Sequence, residues 1–210
     1  EIAKEKGAKG LGKIELELGT PCNVLLAEKA PDLKTALESY DKVMLQYKYD
    51  GMRTLIHKKG EKIWIFTRRL ENVTNAFPEI AEFAKKALKA HEIIVDSETI
   101  GLDKKGKPIP FQLLSTRIKR IYDIEKAMKD TPAQVNLFDI LYLNGKTLFD
   151  KTQSERHELL KKEVHEIKDK FRIADTLITK DLKKAESFYK ESLDAGHEGL
   201  IVKNLDSLYI

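Results

Sequence analysis

From Val43 onward, apolar and polar positions alternate in short runs. Val43–Tyr49, Met52–Lys58 and Lys62–Thr67 carry β-branched and aromatic residues at strand periodicity, separated by Asp50-Gly51 and Lys59-Gly60. This pattern predicts a meander. A helical stripe follows, opened by Pro78 and formed by Ile80, Phe83, Ala84, Ala87 and Leu88. Ile93–Ile100 returns to strand, with a turn expected over Asp103–Lys107. Ser115–Lys129 reads as a helix closed by Pro132, Gln134–Leu143 as a strand, and Ser154–Ile167 as an amphipathic helix. Asp181 is placed to cap a last helix whose stripe is Leu182, Ala185, Phe188, Tyr189 and Leu193, and Gly196 to end it. A strand at Gly199–Lys203 closes the series. Hairpin-joined strands with helices between them, lacking regular βαβ alternation, predict an α+β fold with antiparallel sheets.

Before Val43 the pattern is weaker. Gly7, Gly10, Gly12 and Gly19 interrupt a lysine-rich stretch, and Ile14–Leu18 alternates like a short strand. Residues 1–20 are expected to be a linker or the tail of a preceding domain.

Composition narrows the class. The 210 residues are 41% hydrophobic, enough for a real core, and contain no apolar run of bilayer length or signal-peptide pattern. Residence inside the cell is expected, cytoplasmic in an archaeon or nuclear in a eukaryote. A single cysteine, Cys22, excludes an internal disulfide and a multi-cysteine metal site. The net charge of +4 permits a polyanionic partner without demanding one. Abundant Lys and Glu with scarce Asn and Gln suit a thermophile.

Candidate chemistry centres on Lys48-Tyr49-Asp50-Gly51-Met52-Arg53. A lysine at a strand end suits nucleophilic attack on phosphate, provided that its amine is neutral. Desolvation and nearby positive charge both favour the neutral form, and Arg53 or Lys203 would supply such charge. Strand alternation sets Gln46 and Met44 on the face of Lys48, so a base-recognising amide would lie beside the nucleophile. Alone, the pattern also fits an exposed hairpin. Glu198 and Lys203 are five residues apart, so both reach one pocket only if Glu198 precedes the regular strand or a bulge intervenes. Gly199 favours the former. Gly145-Lys146-Thr147 imitates a P-loop ending, but Ile140 stands where that motif needs glycine. The five histidines lack zinc-ligand spacing and are expected at the surface.

Six segments in order, from Lys48 to Lys203, resemble the nucleotidyltransferase superfamily of DNA ligases, RNA ligases and capping enzymes, and ATP-dependent DNA ligases of archaeal and eukaryotic type above all. They are Lys48–Arg53, Phe66–Thr74, Val95–Glu98, Pro110–Arg117, Phe138–Gly145 and Glu198–Lys203. The resemblance implies two antiparallel sheets flanked by helices, with the nucleotide pocket between them (ATP-grasp-like), over residues 21–210. It implies Lys48 as the AMP-accepting nucleophile and Asp50 as a contributor to later steps. Gln46, Arg53, Arg68, Glu98, Phe138 and Lys203 would hold the nucleotide, with Phe138 stacking on adenine. Glu98 and Glu198 would hold Mg²⁺, or Mn²⁺ in its place.

The implied reaction is transfer of AMP from ATP to Lys48, then to the 5′-phosphate of nicked double-stranded DNA, then sealing by the 3′-hydroxyl. Replication and repair would use it. Lys104, Lys105, Lys107, Arg117, Lys119 and Arg120 are the densest basic cluster and the expected DNA contacts. Implied partners are an oligonucleotide-binding domain and an upstream DNA-binding domain of the same polypeptide, of which residues 1–20 would be the linker or tail, and a sliding clamp. No membrane is implied. The family's further lysine motif and oligonucleotide-binding domain are expected beyond residue 210, so this segment alone should seal nicks poorly. An RNA ligase or capping-type enzyme, and a non-catalytic nucleic-acid-binding module, are the competing readings.

Overall fold

The computed structural model describes residues 16–118, 120 and 122–209. Its strands are β1 (Val43–Tyr47), β2 (Met52–Lys59), β3 (Lys62–Thr67), β4 (Glu92–Leu102), β5 (Pro108–Ile109), β6 (Ala133–Leu143), β7 (Lys146–Thr147), β8 (Phe171–Ile173), β9 (Thr176–Ile178) and β10 (Leu200–Asn204). Its helices are α1 (Leu33–Glu38), α2 (Pro78–Ala87), α3 (Phe111–Ser115), α4 (Ile124–Asp130), α5 (Gln153–Glu163) and α6 (Leu182–Asp194). One sheet is antiparallel, in the order β10-β1-β9. The other runs β3-β2-β4-β6-β7, with β5 on β4 and β8 parallel to β6. The α+β class with two mainly antiparallel sheets is the one expected.

Alternation divides each sheet into a helix-covered face and a face looking toward its neighbour. Ile56, Ile65, Ile93, Val95, Val135 and Leu137 pack with Ile80, Ala84 and Ala87 of α2 in the main core. On the small sheet, Val43 and Leu45 pack against Leu37 of α1 and Ala185 of α6. The layers therefore run helix, small sheet, cleft, large sheet, helix. Caps set several helix ends. Thr152 and Glu155 form a reciprocal capping box on α5, and Asp181 accepts from the Lys184 amide at 3.0 Å to start α6. Pro78 occupies the first turn of α2, where its missing N–H costs nothing.

Several expectations are corrected. The first three strands do not form a single meander, because β1 belongs to the small sheet while β2 and β3 belong to the large one. Asp50-Gly51 is the crossing between sheets, and there a Cβ on residue 51 would collide with the Thr99 carbonyl oxygen. The expected helix over Ser115–Lys129 is two short helices, α3 and α4, separated by turns and by Asp123 in the left-handed region (φ 55°). The helix expected to reach Ile167 stops at Glu163, and Val164 instead bridges to Leu88. On α6, Tyr189 and Leu193 are exposed and Ser192 is buried, so its stripe is narrower than the sequence suggested. His57 and His157 are buried, not superficial. His57 accepts from the Gly19 amide at 3.2 Å, and burial holds its imidazole down to about 4. Leu16–Thr20 are not a strand: Leu16 is buried against the large sheet, while Ile14 and Glu15 lie outside the described residues.

Arg117 is the clearest reassignment. It was expected on DNA, yet it is 1% exposed. Its guanidinium pairs with Glu79 at 2.6 Å, donates to the carbonyls of Thr131 and Ala76 at 3.0 Å each, and lies 4.4 Å from the Phe77 ring centroid. A guanidinium so enclosed anchors α2 to the turn after α3 and has no face left for phosphate. Removing one partner of a buried pair strands the other. Arg117→Ala is therefore expected to lower unfolding free energy by about 3–5 kcal/mol in urea titration; a loss below about 1 kcal/mol would place the arginine at a tolerant surface site.

Candidate nucleotide cleft

The cleft is built from side chains on the facing surfaces of the two sheets. On β1, Met44 and Gln46 share the face opposite the α6 contact, and the chain continues to Lys48 in the same phase. On β10, Lys203 lies directly across from Met44. Its ammonium reaches the large sheet, 3.3 Å from the Phe138 carbonyl oxygen and 4.8 Å from the Phe138 ring centroid. The large sheet contributes Arg53 from β2, Asp96 and Glu98 from β4, and Phe138 from β6. Phe138 reaches the cleft through a bulge. Asp96 pairs with Asp139 but Ser97 with Leu137, leaving Phe138 as the extra residue. A second shift between Ile94 and Val95 leaves Leu141 extra, so Leu137, Ile140 and Leu143 all meet the helix-side core at spacings of three.

Lys48 makes an ion pair with Glu198, and both side chains are about half exposed. The pairing follows from backbone register. The Lys48 amide donates to Gly199 O at 2.8 Å, and the Glu198 amide donates to Lys48 O at 2.9 Å. Regular β10 begins only at Leu200, so Glu198 precedes it and the parity conflict is resolved as the sequence suggested. Gly199, at φ +134°, makes that irregular start, and a Cβ there would sit 2.9 Å from the Tyr189 ring.

Arg53 is engaged elsewhere. Its Nε and Nη2 donate to Asp96 at 3.1 and 2.6 Å, and its Nη1 donates to the Leu25 carbonyl. The expectation that Arg53 or Lys203 would stand against the Lys48 amine is not met by contact, because the partner of Lys48 is Glu198. Glu98, directly across the ladder from Arg53, makes no ion pair among the described residues. Burial pushes its carboxyl up to about 8, against the pull of Arg53 and Lys48. Burial likewise pushes the Lys203 amine down, against the pull of Asp139 and Asp96.

Arg68 is exposed on the turn after β3 and lines a small cleft with Cys22, Val24, Arg53, Thr67 and Asp96. Asp50 is half-buried, and its charge helps to raise Glu98. Lys104, Lys105 and Lys107 are exposed around a turn in which Asp103 accepts from two backbone amides, and Arg120 is exposed. Lys119 lies outside the described residues. Glu98 and Glu198 offer oxygen donors, but the described residues contain no group of three or more potential ligands. That donor set fits Mg²⁺, which keeps waters and takes one or two carboxylates plus substrate phosphates.

Other residues were not singled out by sequence. Tyr49 donates to Asp175 Oδ2 at 3.0 Å, and the Asp175 amide donates back to the Tyr49 hydroxyl at 2.9 Å. Arg172 holds the other Asp175 oxygen at 2.6 Å. This latch ties the residue after Lys48 to the loop leading into β9. Asp139 pairs with Arg156 at 2.8 Å beneath the cleft. Tyr209 Oη accepts from the Leu25 amide at 3.2 Å, holding the strap of residues 22–25 to the large sheet. Asp139 was inside a recognised segment; Asp175 and Arg172 carry only an ordinary i, i+3 charge signal.

The profile of the family described as "ATP dependent DNA ligase domain" matches residues 24–210. A DNA ligase from Nanoarchaeum equitans is 43% identical over 210 residues, covering 99% of this chain and 37% of that protein. One from Thermococcus onnurineus is 40% identical, covering 100% of this chain and again 37% of the relative. The chain thus spans little more than a third of the length of these relatives. Among solved structures, a Chlorella virus DNA ligase-adenylate superposes with a TM-score of 0.62 at 15% identity, over 90% of this chain and 61% of that one. A mycobacterial DNA ligase D complexed with ATP and MES gives 0.58 at 23% identity, over 80% and 50%. These structural likenesses establish a shared fold.

The Glu98 shift has a testable sign. Its folded value, about 8, lies above the ordinary carboxylate value, so its contribution is complete at acid pH and is lost as pH rises toward 8. The full shift would be worth ~5 kcal/mol, and partial exposure reduces that to about 2. Urea titrations at pH 5 and pH 9 should show Glu98→Gln losing less stability between them than the parent chain; equal losses would remove Glu98 as the titrating group.

Proposed function

The chain belongs to the family of ATP-dependent DNA ligases, and on that premise we propose that Lys48 is the amine that takes up AMP. The observation carrying this reading is the position of Lys48, at the cleft end of β1 and in contact with Glu198, between the carboxylates and the cations of the two sheets.

The Lys48 ammonium first loses a proton, for which the contacting Glu198 carboxylate is the nearest acceptor. The amine lone pair then attacks the α-phosphorus of ATP. An N–P bond forms as the bond from that phosphorus to the bridging oxygen breaks, and pyrophosphate leaves with the electron pair. Lys203, which has no ion-pair partner among the described residues, is available to the phosphates. Phe138 offers its ring to adenine, Gln46 its amide to the base edge, and Arg68 its guanidinium to ribose or phosphate. Arg53, held by Asp96 and Leu25, supports this cleft by fixing its floor. Glu98 and Glu198 would hold Mg²⁺, or Mn²⁺ in its place, which supplies charge neutralisation on the phosphates.

In the complete polypeptide, AMP passes from Lys48 to the 5′-phosphate of a DNA nick, giving a pyrophosphate linkage and freeing the amine. The 3′-hydroxyl attacks that phosphate and AMP leaves, with Asp50 serving these later steps. Lys104, Lys105, Lys107 and Arg120 are the exposed cations proposed to meet DNA phosphates, and Lys119 is carried with them from the sequence. Residues 21–210 would be the adenylation domain, working with oligonucleotide-binding and DNA-binding domains and a sliding clamp in replication and repair. No helix among the described residues is long and apolar enough to cross a membrane.

Incubation with ATP and Mg²⁺ should add one acid-labile AMP to the intact mass, and Lys48→Ala should abolish the adduct. An adduct that survives in the alanine variant would move the nucleophile to another residue.

A further inference from the structure

We propose that Thr176 sets the base selectivity of the cleft by locking the Gln46 carboxamide with its carbonyl oxygen turned away from Thr176, as an acceptor for an exocyclic amine. The inference rests on the reading of the cleft as a nucleotide site and goes beyond it by assigning selectivity to a residue on a different strand.

The argument is one of proton direction. Thr176 is the register partner of Gln46 across the β1–β9 ladder, so the two side chains lie side by side on one face. The Thr176 hydroxyl oxygen is 2.7 Å from the Ala174 carbonyl oxygen. A carbonyl can only accept, so the hydroxyl proton is committed to Ala174. Toward Gln46 the hydroxyl therefore has only lone pairs to offer. It lies 3.2 Å from Nε2, and only the NH₂ end of the amide can satisfy it. A flipped amide would set two acceptors against each other.

The opposite end of the amide is thereby fixed as oxygen. Gln46 is 2% exposed, and no donor among the described residues reaches its Oε1. A buried carbonyl oxygen is completed by an N–H or O–H donor. Among purines, the 6-amino group of adenine is such a donor. The 6-oxo group of guanine or hypoxanthine is an acceptor and would face the Gln46 oxygen lone pair to lone pair. Selectivity for a 6-aminopurine is thus written into a three-group relay, from Gln46 through Thr176 to the Ala174 backbone. Thr176 is a positioning residue in this relay; Gln46 is the group that meets the base.

The test compares covalent nucleotidylation of the chain by ATP and by inosine triphosphate, each with Mg²⁺, followed by intact mass. The parent chain should react with ATP far faster. Thr176→Val keeps the side-chain shape but removes the acceptor, freeing the amide to turn, and should reduce the ATP-to-ITP rate ratio at least about tenfold. Thr176→Ser should restore the ratio. Gln46→Glu presents only acceptors whichever way it turns, so adding Thr176→Val to it should leave its ratio unchanged; if the valine variant folds poorly, Thr176→Ala removes the same acceptor with less steric demand and should lower the ratio in the same way. A Thr176→Val variant that slows both reactions equally, with the ratio intact, overturns the lock and reduces Thr176 to a packing role. Equal parental rates with the two triphosphates overturn it as well. Absence of any adduct from either triphosphate on the parent chain would instead overturn the nucleotide-site reading itself, and this inference with it.

Discussion

The cleft depends on a choice made by Arg53. Directly across the β2–β4 ladder stands Glu98, yet the guanidinium turns diagonally and takes Asp96 with two hydrogen bonds. Asp96 is fully buried, and a carboxylate there would be costly without a bidentate partner. The pairing satisfies the deeper carboxylate and leaves the shallower one free. Glu98 consequently has neither an ion pair nor full solvation, which is why burial raises it so far. A carboxyl in that condition binds a cation more readily than one already neutralised by an arginine. The same guanidinium also holds the Leu25 carbonyl, so one side chain fixes both the floor of the cleft and the strap along its edge.

Placing the Lys48 amine required the chain to change sheets within a few residues. Lys48 belongs to the small sheet and Arg53 to the large one, and the link between them passes so close to Thr99 that only glycine fits at residue 51. The requirement is steric rather than conformational, since residue 51 does not have positive φ. Gly199 performs the complementary task on the neighbouring strand, where a positive φ lets Glu198 meet Lys48 before β10 becomes regular. The Tyr49–Asp175–Arg172 latch then pins the crossing to β9. Two glycines and one buried phenol thus determine where the amine is held.

Much of this was legible because local periodicity and tertiary burial agreed. The β2–β3 hairpin, α2 with its leading proline, and α6 with its aspartate cap all follow from patterns that a short window contains. The phase of Gln46 and Lys48, and the resolution of the Glu198–Lys203 parity, were also readable from a period of two. What escaped was decided at long range. Whether Asp50-Gly51 turned a hairpin or crossed between sheets depended on Thr99, nearly fifty residues away in sequence. Arg117 looked like one more cation in a basic run, and only the arrival of Glu79, Phe77 and Thr131 around it made it a core residue. The bulge that delivers Phe138 to the cleft lies in the β4 register, which no single-strand pattern encodes.

The two lysines of the cleft illustrate how the same side chain serves opposite needs. Lys48 is half exposed and paired with a carboxylate that sits on the irregular approach to its strand. Lys203 is drawn across to the other sheet, over an aromatic face and a backbone carbonyl, with carboxylates near enough to be felt but none in ion-pair contact. Burial without a bound anion disfavours its charge, and an arriving phosphate would restore it, so Lys203 gains more from an anionic ligand than a solvated lysine would. For Lys48 the balance runs the other way. In the role proposed for it, Lys48 must give up its proton and its partner before it can form a bond, and a solvent-accessible pair is easier to dissolve than a buried one. The proposed nucleophile is therefore best kept at the rim and the proposed phosphate receptor within, and that is the order in which the structure sets Lys48 and Lys203.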